Sequence, residues 1–261
     1  MRVLLTNDDG ISAAGLVVLT EIAEEIAGGG GELWTVAPAF EQSGVGHCIT
    51  FTKPLMIEEL GVRRWAVQGA PADCVIAALH HIMPEPPDLI LSGVNRGNNS
   101  GENALYSGTL GAAMEGALQN IPAIALSQFY GPGNARAEDP FEAARRHGAR
   151  AIGATLEAGF EIGAPYPLFY NVNFPPVPAA DVKGLAATPQ GRRAAVTFGA
   201  QASKAPNGRP YLWPQGGDQR AATAPGSDVD LNLAGWVSLT PMRPDLTDAS
   251  ALDRLRAATD R

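Results

Sequence analysis

Four polar clusters in this 261-residue sequence follow short apolar runs and carry side chains able to hold a cation: Asn7-Asp8-Asp9-Gly10, Ser43-Gly44, residues 92–99 and Ser127-Gln128. Two carboxylates about 5 Å apart in a cleft repel by roughly 3 kcal/mol at an effective dielectric near 20, so Asp8 and Asp9 both ionised call for a counter-charge. Carboxylate, hydroxyl and amide oxygens are hard donors. A set made of Asp8, Asp9, Ser43 and Asn95, without Cys or His, suits Mg²⁺ or Mn²⁺ with bound waters better than zinc. The competing reading of Asn-Asp-Asp-Gly taken alone is a solvated turn, where Asn and Asp are favoured beside Gly for backbone reasons.

The segment that follows supplies a second chemistry. Gly93, Gly97 and Gly101 recur every four residues among Asn and Ser, which allows backbone to approach a ligand closely but is not the G-x-G-x-x-G spacing of dinucleotide binders. No Walker lysine follows. Tyr106-Ser107-Gly108-Thr109 opens a helix, whose free N–H groups and positive dipole end favour an anion such as phosphate. Asn99, Ser107, Gly108 and Thr109 are the expected phosphate contacts, with plain N-capping as the competing role of the two hydroxyls. Arg96 is a candidate phosphate contact and His47 a candidate general acid. His80 and His81 point about 100° apart on a helix and read as surface, Asp73 reads as a helix-start carboxylate, and Tyr211 and Trp213 read as a subunit contact or a stack for a base.

The elements that must position these residues are legible as apolar runs. Residues 3–6, 33–37, 89–91 and 123–126 read as buried strands, and residues 16–27, 71–82, 109–119 and 141–158 as helices. Residues 49–51, 55–57 and 64–67 read as further β structure, and 168–172 as a strand. Continuous rather than alternating apolar strands between helices predict a doubly wound, Rossmann-like α/β fold with a mostly parallel sheet. Ligands of such sheets bind outside the carboxyl ends of the strands, where all four clusters fall. The Pro-rich stretch 175–230 is too long for a simple loop and contains β-like pieces at 194–198 and 211–213. It predicts an arm, about 175–235, on one domain spanning 1–261, followed by a strand at 236–240 and a helix near 252–257.

Nineteen Lys and Arg against 27 Asp and Glu give a net charge of −8, scattered along the chain, which argues against binding of nucleic-acid polymers or anionic membranes. Two cysteines without C-x-x-C pairing suggest neither a disulfide framework nor a zinc site, and fit a reducing cytoplasm.

Together the ordered segments resemble one family, the survival protein SurE family of metal-dependent nucleotidases. They are residues 4–11 (Leu-Leu-Thr-Asn-Asp-Asp-Gly-Ile), 36–38, Ser43-Gly44, 69–75, Ser92-Gly93-Val94-Asn95 with Gly97 and Asn99, 106–109, 171–175 and 235–241. The resemblance implies hydrolysis of nucleoside 5′-monophosphates, and of 3′-monophosphates as a further substrate, to nucleoside and phosphate. It also implies one divalent cation per subunit on Asp8, Asp9, Ser43 and Asn95, and a cytoplasmic homodimer or homotetramer built partly through the arm. Asp8, Asp9 and Asn95 would be its catalytic residues, with water or an aspartate as attacking group. Relatives often carry Asp after Pro38 and a basic residue before Ser43, where this chain reads Ala39-Phe40-Glu41-Gln42. A phosphoryl-accepting receiver module also places an acidic pair after its first strand, but it requires a third Asp at a later strand exit, where this chain has Ser43 and Asn95. A nucleotide-binding scaffold without turnover is the remaining alternative.

Overall fold

Alternate residues of a strand face opposite sides of a sheet, and in this chain both sides are apolar. In the computed structural model, which describes residues 1–194 and 198–259, Val3, Leu5, Leu89, Leu91, Ile124 and Leu126 belong to one buried layer while Leu4, Ile90, Ala123 and Ala125 belong to another. The strands are β1 (Arg2–Thr6), β2 (Glu32–Pro38), β3 (Ile57–Gly61), β4 (Arg64–Val67), β5 (Leu89–Arg96), β6 (Ala123–Gln128), β7 (Phe169–Phe174), β8 (Gly184–Ala187), β9 (Gly199–Lys204), β10 (Pro210–Gln215) and β11 (Trp236–Met242). Nine of them form one sheet in the order β3-β4-β2-β1-β5-β6-β7-β11-β8, parallel through its centre and antiparallel at β3–β4 and β7–β11.

Helices cover both faces, as a two-sided apolar sheet requires. Leu19 and Ile22 of α1 (Ala14–Ala27) and Ile152 of α4 (Glu142–Ala158) fill the first layer; Val75 of α2 (Pro71–Ala77) and Leu110 and Ala113 of α3 (Gly108–Leu118) fill the second. The chain therefore has the doubly wound α/β fold its runs predict. Two short helices complete it, α5 (Asp228–Leu233) and α6 (Ala249–Thr259).

Several boundaries differ from the sequence expectation for physical reasons. Residues 49–51 form no strand, because the Thr50 amide and hydroxyl both donate to Asp73. The polar run 92–96 is strand rather than loop: Ser92 pairs with β1 and β6, and after a register shift Asn95 and Arg96 pair with Ser127 and Gln128 of β6. Ser127 and Gln128 likewise lie inside β6 instead of after it. The 175–230 stretch hides β8 and α5, too short to show a period, together with the predicted β-like piece at 211–213, which is part of β10. Of the piece at 194–198, residues 195–197 lie outside the described residues. The hairpin β9–β10 forms its own two-stranded sheet and stands exposed.

One contact fixes where α1 meets the site-bearing strand. A Cβ on Gly15 would run into the Val94 carbonyl oxygen. Alanine gains about 0.5–1 kcal/mol over glycine in a helix, yet forcing an extra methyl into packed backbone costs about 1–3 kcal/mol. We expect Gly15→Ala to lower stability by about 1–2 kcal/mol and to lower Tm by several degrees in thermal denaturation; a raised Tm would contradict the packing described.

Candidate metal centre

The site begins as a turn. Asn7 Nδ2 donates to the Gly10 carbonyl (2.8 Å) and Asn7 Oδ1 accepts from the Gly10 amide (3.2 Å), so a buried asparagine clasps the turn that carries the two aspartates. Gly10 sits at φ +99°, which explains glycine there. Asp8 is 4% exposed. Its Oδ1 accepts from the Thr109 hydroxyl (2.8 Å) and its Oδ2 from the Thr109 amide (3.2 Å), both at the start of α3. Gly108 makes that approach possible, since a Cβ there would lie 3.0 Å from Asp8 Cβ. Asp9 Oδ2 accepts from the Arg96 amide at 3.0 Å.

Burial first and the neighbouring Asp9 charge second push the Asp8 carboxyl up to about 7, against the lowering effect of the Thr109 hydrogen bonds. Burial also raises Asp9, opposed by the Arg96 amide. Neither carboxylate forms an ion pair with a basic side chain among the described residues. A buried acid beside a half-buried one, both without such a partner, is a condition under which a cation binds well.

Ser43 and Asn95 supply the other oxygens. Asp8, Ser43 and Asn95 line one cavity of about 240 Å³ together with Arg96, Asn99 and Ser107. The Ser43 hydroxyl donates to Glu41 (2.8 Å), which leaves its lone pairs for an electrophile. Asn95 Nδ2 donates to the Gly97 carbonyl (3.0 Å), and no protein donor among the described residues reaches Asn95 Oδ1. Among the described residues no group of three or more His, Cys, Asp or Glu gathers; the candidate donors are two carboxylates, one hydroxyl and one amide oxygen. That set fits a hard divalent cation.

The expected phosphate contacts divide. Asn99 and Ser107 line the cavity, whereas Gly108 and Thr109 stand behind Asp8. Thr109 directs both donors at Asp8, so it orients that carboxylate instead of opening onto the cavity. The Ser107 hydroxyl accepts from the Leu110 amide and caps α3. Asn99 Nδ2 donates to Thr109 Oγ1 and Ser127 Oγ, its backbone amide to Asn173 Oδ1, and its carbonyl accepts from Asn171. Arg96 lines the cavity with its guanidinium 5.4 Å from the Tyr130 ring. His47 lies elsewhere, its Nε2 2.7 Å from Glu115, on the wall of an apolar cavity of about 870 Å³ that contains neither aspartate. Asp73 holds Thr50 and the Ala70 amide, His80 and His81 are exposed, and Tyr211 and Trp213 stand on the exposed hairpin.

Sequence reasoning missed the supports of the glycine-rich segment. Asn171 and Asn173 project from the fully buried β7, a polar alternation inside an apolar strand that marks them. Arg193 has no exposed side-chain surface and makes five side-chain hydrogen bonds, to Asn98, Ser100 (two), Glu102 and Gln219. Asp228 accepts from the Gly101 and Gly191 amides. Nothing local distinguishes Arg193 from its neighbour Arg192.

Comparison with known proteins covers nearly the whole chain. The family model described as "Survival protein SurE" matches residues 3–197. The "5'-nucleotidase SurE" of Ruegeria pomeroyi is 60% identical over 258 residues, covering 98% of this chain and 99% of the relative, and that of Ruegeria sp. (strain TM1040) is 61% identical over the same span. The crystal structure of the SurE protein from Aquifex aeolicus superimposes with a TM-score of 0.80 at 33% identity, covering 99% of this chain and 100% of its own. With its fold and nearly its full length shared with these proteins, the chain belongs to the survival protein SurE family.

Proposed function

We propose that the protein is a divalent-cation-dependent nucleotidase that hydrolyses nucleoside 5′-monophosphates, and 3′-monophosphates as a further substrate, to nucleoside and phosphate. The observation that carries this reading is the buried Asp8 carboxylate, free of ion pairs among the described residues, which lines one cavity with Ser43 and the unclaimed Asn95 amide oxygen and has the half-buried Asp9 beside it in the chain. The name its relatives carry, 5'-nucleotidase, supplies the reaction class. Asp8, Asp9, Ser43 and Asn95 would hold one Mg²⁺ or Mn²⁺ per subunit. When bound, such an ion supplies Lewis-acid polarisation of the phosphate and lowers the proton affinity of water.

The chain's own residues do the positioning. Thr109 fixes the Asp8 carboxylate with two hydrogen bonds, and the Arg96 amide fixes Asp9. Asn99 and Ser107 line the space that a phosphoryl group enters, and Arg96 lines it as well. In phosphoryl transfer there is little covalent work for a protein beyond such orientation and charge stabilisation. The reading further takes residues 1–261 as one domain of a cytoplasmic homodimer or homotetramer, with the 175–235 arm at a subunit contact, consistent with exposed Tyr211, Leu212 and Trp213 on the hairpin. No described helix is long and apolar enough to cross a membrane.

The test is phosphate release from a panel of nucleoside 5′- and 3′-monophosphates. We expect turnover with Mn²⁺ or Mg²⁺, its loss on chelation and its return on adding either metal. Full activity in excess chelator would contradict the reading.

A further inference from the structure

Two aromatic rings stand at the edge of the carboxylate cavity and take no part in holding it. Tyr106, the last residue of the 3-10 turn Gly101–Tyr106, and Phe198, just before β9, meet edge to face with centroids 4.7 Å apart at 68°. Both are about half exposed, 46% and 51%. With Asn103 they line the cavity of Asp8 and also a second cavity of about 340 Å³, walled further by Glu102, Gln190, Arg192, Gly216 and Gly217. The two spaces therefore share an aromatic wall.

We infer that the second cavity takes the base of a nucleoside monophosphate whose phosphate lies in the first; the inference rests on the nucleotidase reading above. A phosphate beside Asp8 sends the rest of its ester past the shared wall, where a flat heteroaromatic ring finds π-faces to stack on. Gln190 Nε2 donates to the Gly101 carbonyl (2.8 Å), and no protein donor among the described residues claims Gln190 Oε1, which leaves an acceptor for a base N–H. Arg192 forms no ion pair among the described residues and adds a cation suited to stacking. Phe198 and Gly216-Gly217 flank the two strands of the β9–β10 hairpin. The stem of the arm thus builds the substrate cavity, a role separate from any contact made by its tip.

The experiment compares hydrolysis of adenosine 5′-monophosphate with that of ribose 5-phosphate, which carries the same phosphate and sugar without a base. Replacing a stacking aromatic typically weakens base binding about 5- to 100-fold. We expect the wild type to favour the nucleotide in kcat/KM, and Tyr106→Ala, Phe198→Ala and the volume-preserving Phe198→Leu each to lower the nucleotide-to-sugar ratio at least about 5-fold, chiefly through KM. Tyr106→Phe and Phe198→Trp, which keep a ring, restore the ratio. An equal loss on both substrates would make the rings mere scaffold and overturn the inference, as would a wild type without preference for the nucleotide. A wild type that hydrolyses neither ester with metal present overturns the nucleotidase reading itself, and the base subsite falls with it.

Discussion

Asp8→Asn is expected to lower kcat/KM for a nucleoside 5′-monophosphate on the order of 10³-fold or more, about 4 kcal/mol of transition-state stabilisation, while the protein stays folded. The carboxylate lies 4% exposed against the start of α3, and its loss leaves Asp9 as the one acidic side chain on that strand exit. Its effect on stability runs in the opposite direction. In metal-free protein the folded-state carboxyl is raised to about 7 from 3.8, so burying its charge costs stability fully above pH 7, and the cost fades as pH falls toward 4. The amide removes that cost, of which repulsion by Asp9 is one part, against about 1 kcal/mol for one lost hydrogen bond from Thr109. The chelated variant should therefore melt higher than chelated wild type at pH 8 and close to it at pH 4. Melting scans at the two pH values, beside phosphate-release kinetics, check both halves. A variant that is inactive but also less stable at pH 8 would show that Asp8 serves the fold instead of the site.

Arg193 has the largest expected effect on stability. Replacing it by Met keeps apolar volume but leaves the Glu102 carboxylate and the Ser100 and Gln219 carbonyls without their guanidinium partner. Removing one member of a fully buried ion pair costs about 3–5 kcal/mol because the other is left uncompensated, and with Glu102 17% exposed the lower end of that range is expected. The Glu102 carboxyl shows the pairing: burial pushes it upward, yet the hydrogen bonds and charge of Arg193 hold it below its ordinary value. Arg193→Lys should rescue little, since a single ammonium cannot replace a planar fork that reaches Asn98, Ser100, Glu102 and Gln219 at once. The segment it clamps carries Asn98 and Asn99 on the cavity wall, so activity well below Tm should fall as well, about 10- to 100-fold if a 1 Å shift of that wall misplaces the phosphate. Denaturant titration gives the first quantity and kinetics at low temperature the second; a loss under about 1 kcal/mol in both variants would remove Arg193 from this role.

The contrast between these two residues marks how far the sequence could be read. Asp8 announces itself because like charges placed side by side after an apolar strand need a reason, and the strands were visible as runs whose alternate residues now line two cores. Ser43 and Asn95 follow from the rule that strand exits share one rim. Arg193 sits in a Pro-rich, aperiodic stretch with a second arginine beside it, and only its tertiary partners, about 90 residues away in sequence, distinguish the two. The helix-start hydroxyls were legible as chemistry but not in direction. Ser107 caps, and Thr109 serves a carboxylate that only the folded chain brings to it, 101 residues distant. The polarity of Ser92 to Arg96 suggests a loop, whereas Ser92 pairs with both β1 and β6, and Asn95 and Arg96 pair with β6.

The central claim is that oxygens from three separate strand exits converge to bind one doubly charged cation. An anomalous difference map from crystals grown with Mn²⁺, recorded near the manganese edge, tests it most directly. The account predicts a single strong peak per chain, contacted by Asp8 and Asp9 and bordered by Ser43 and the amide oxygen of Asn95. A featureless map at those four residues, or manganese bound only at some other place, would contradict it.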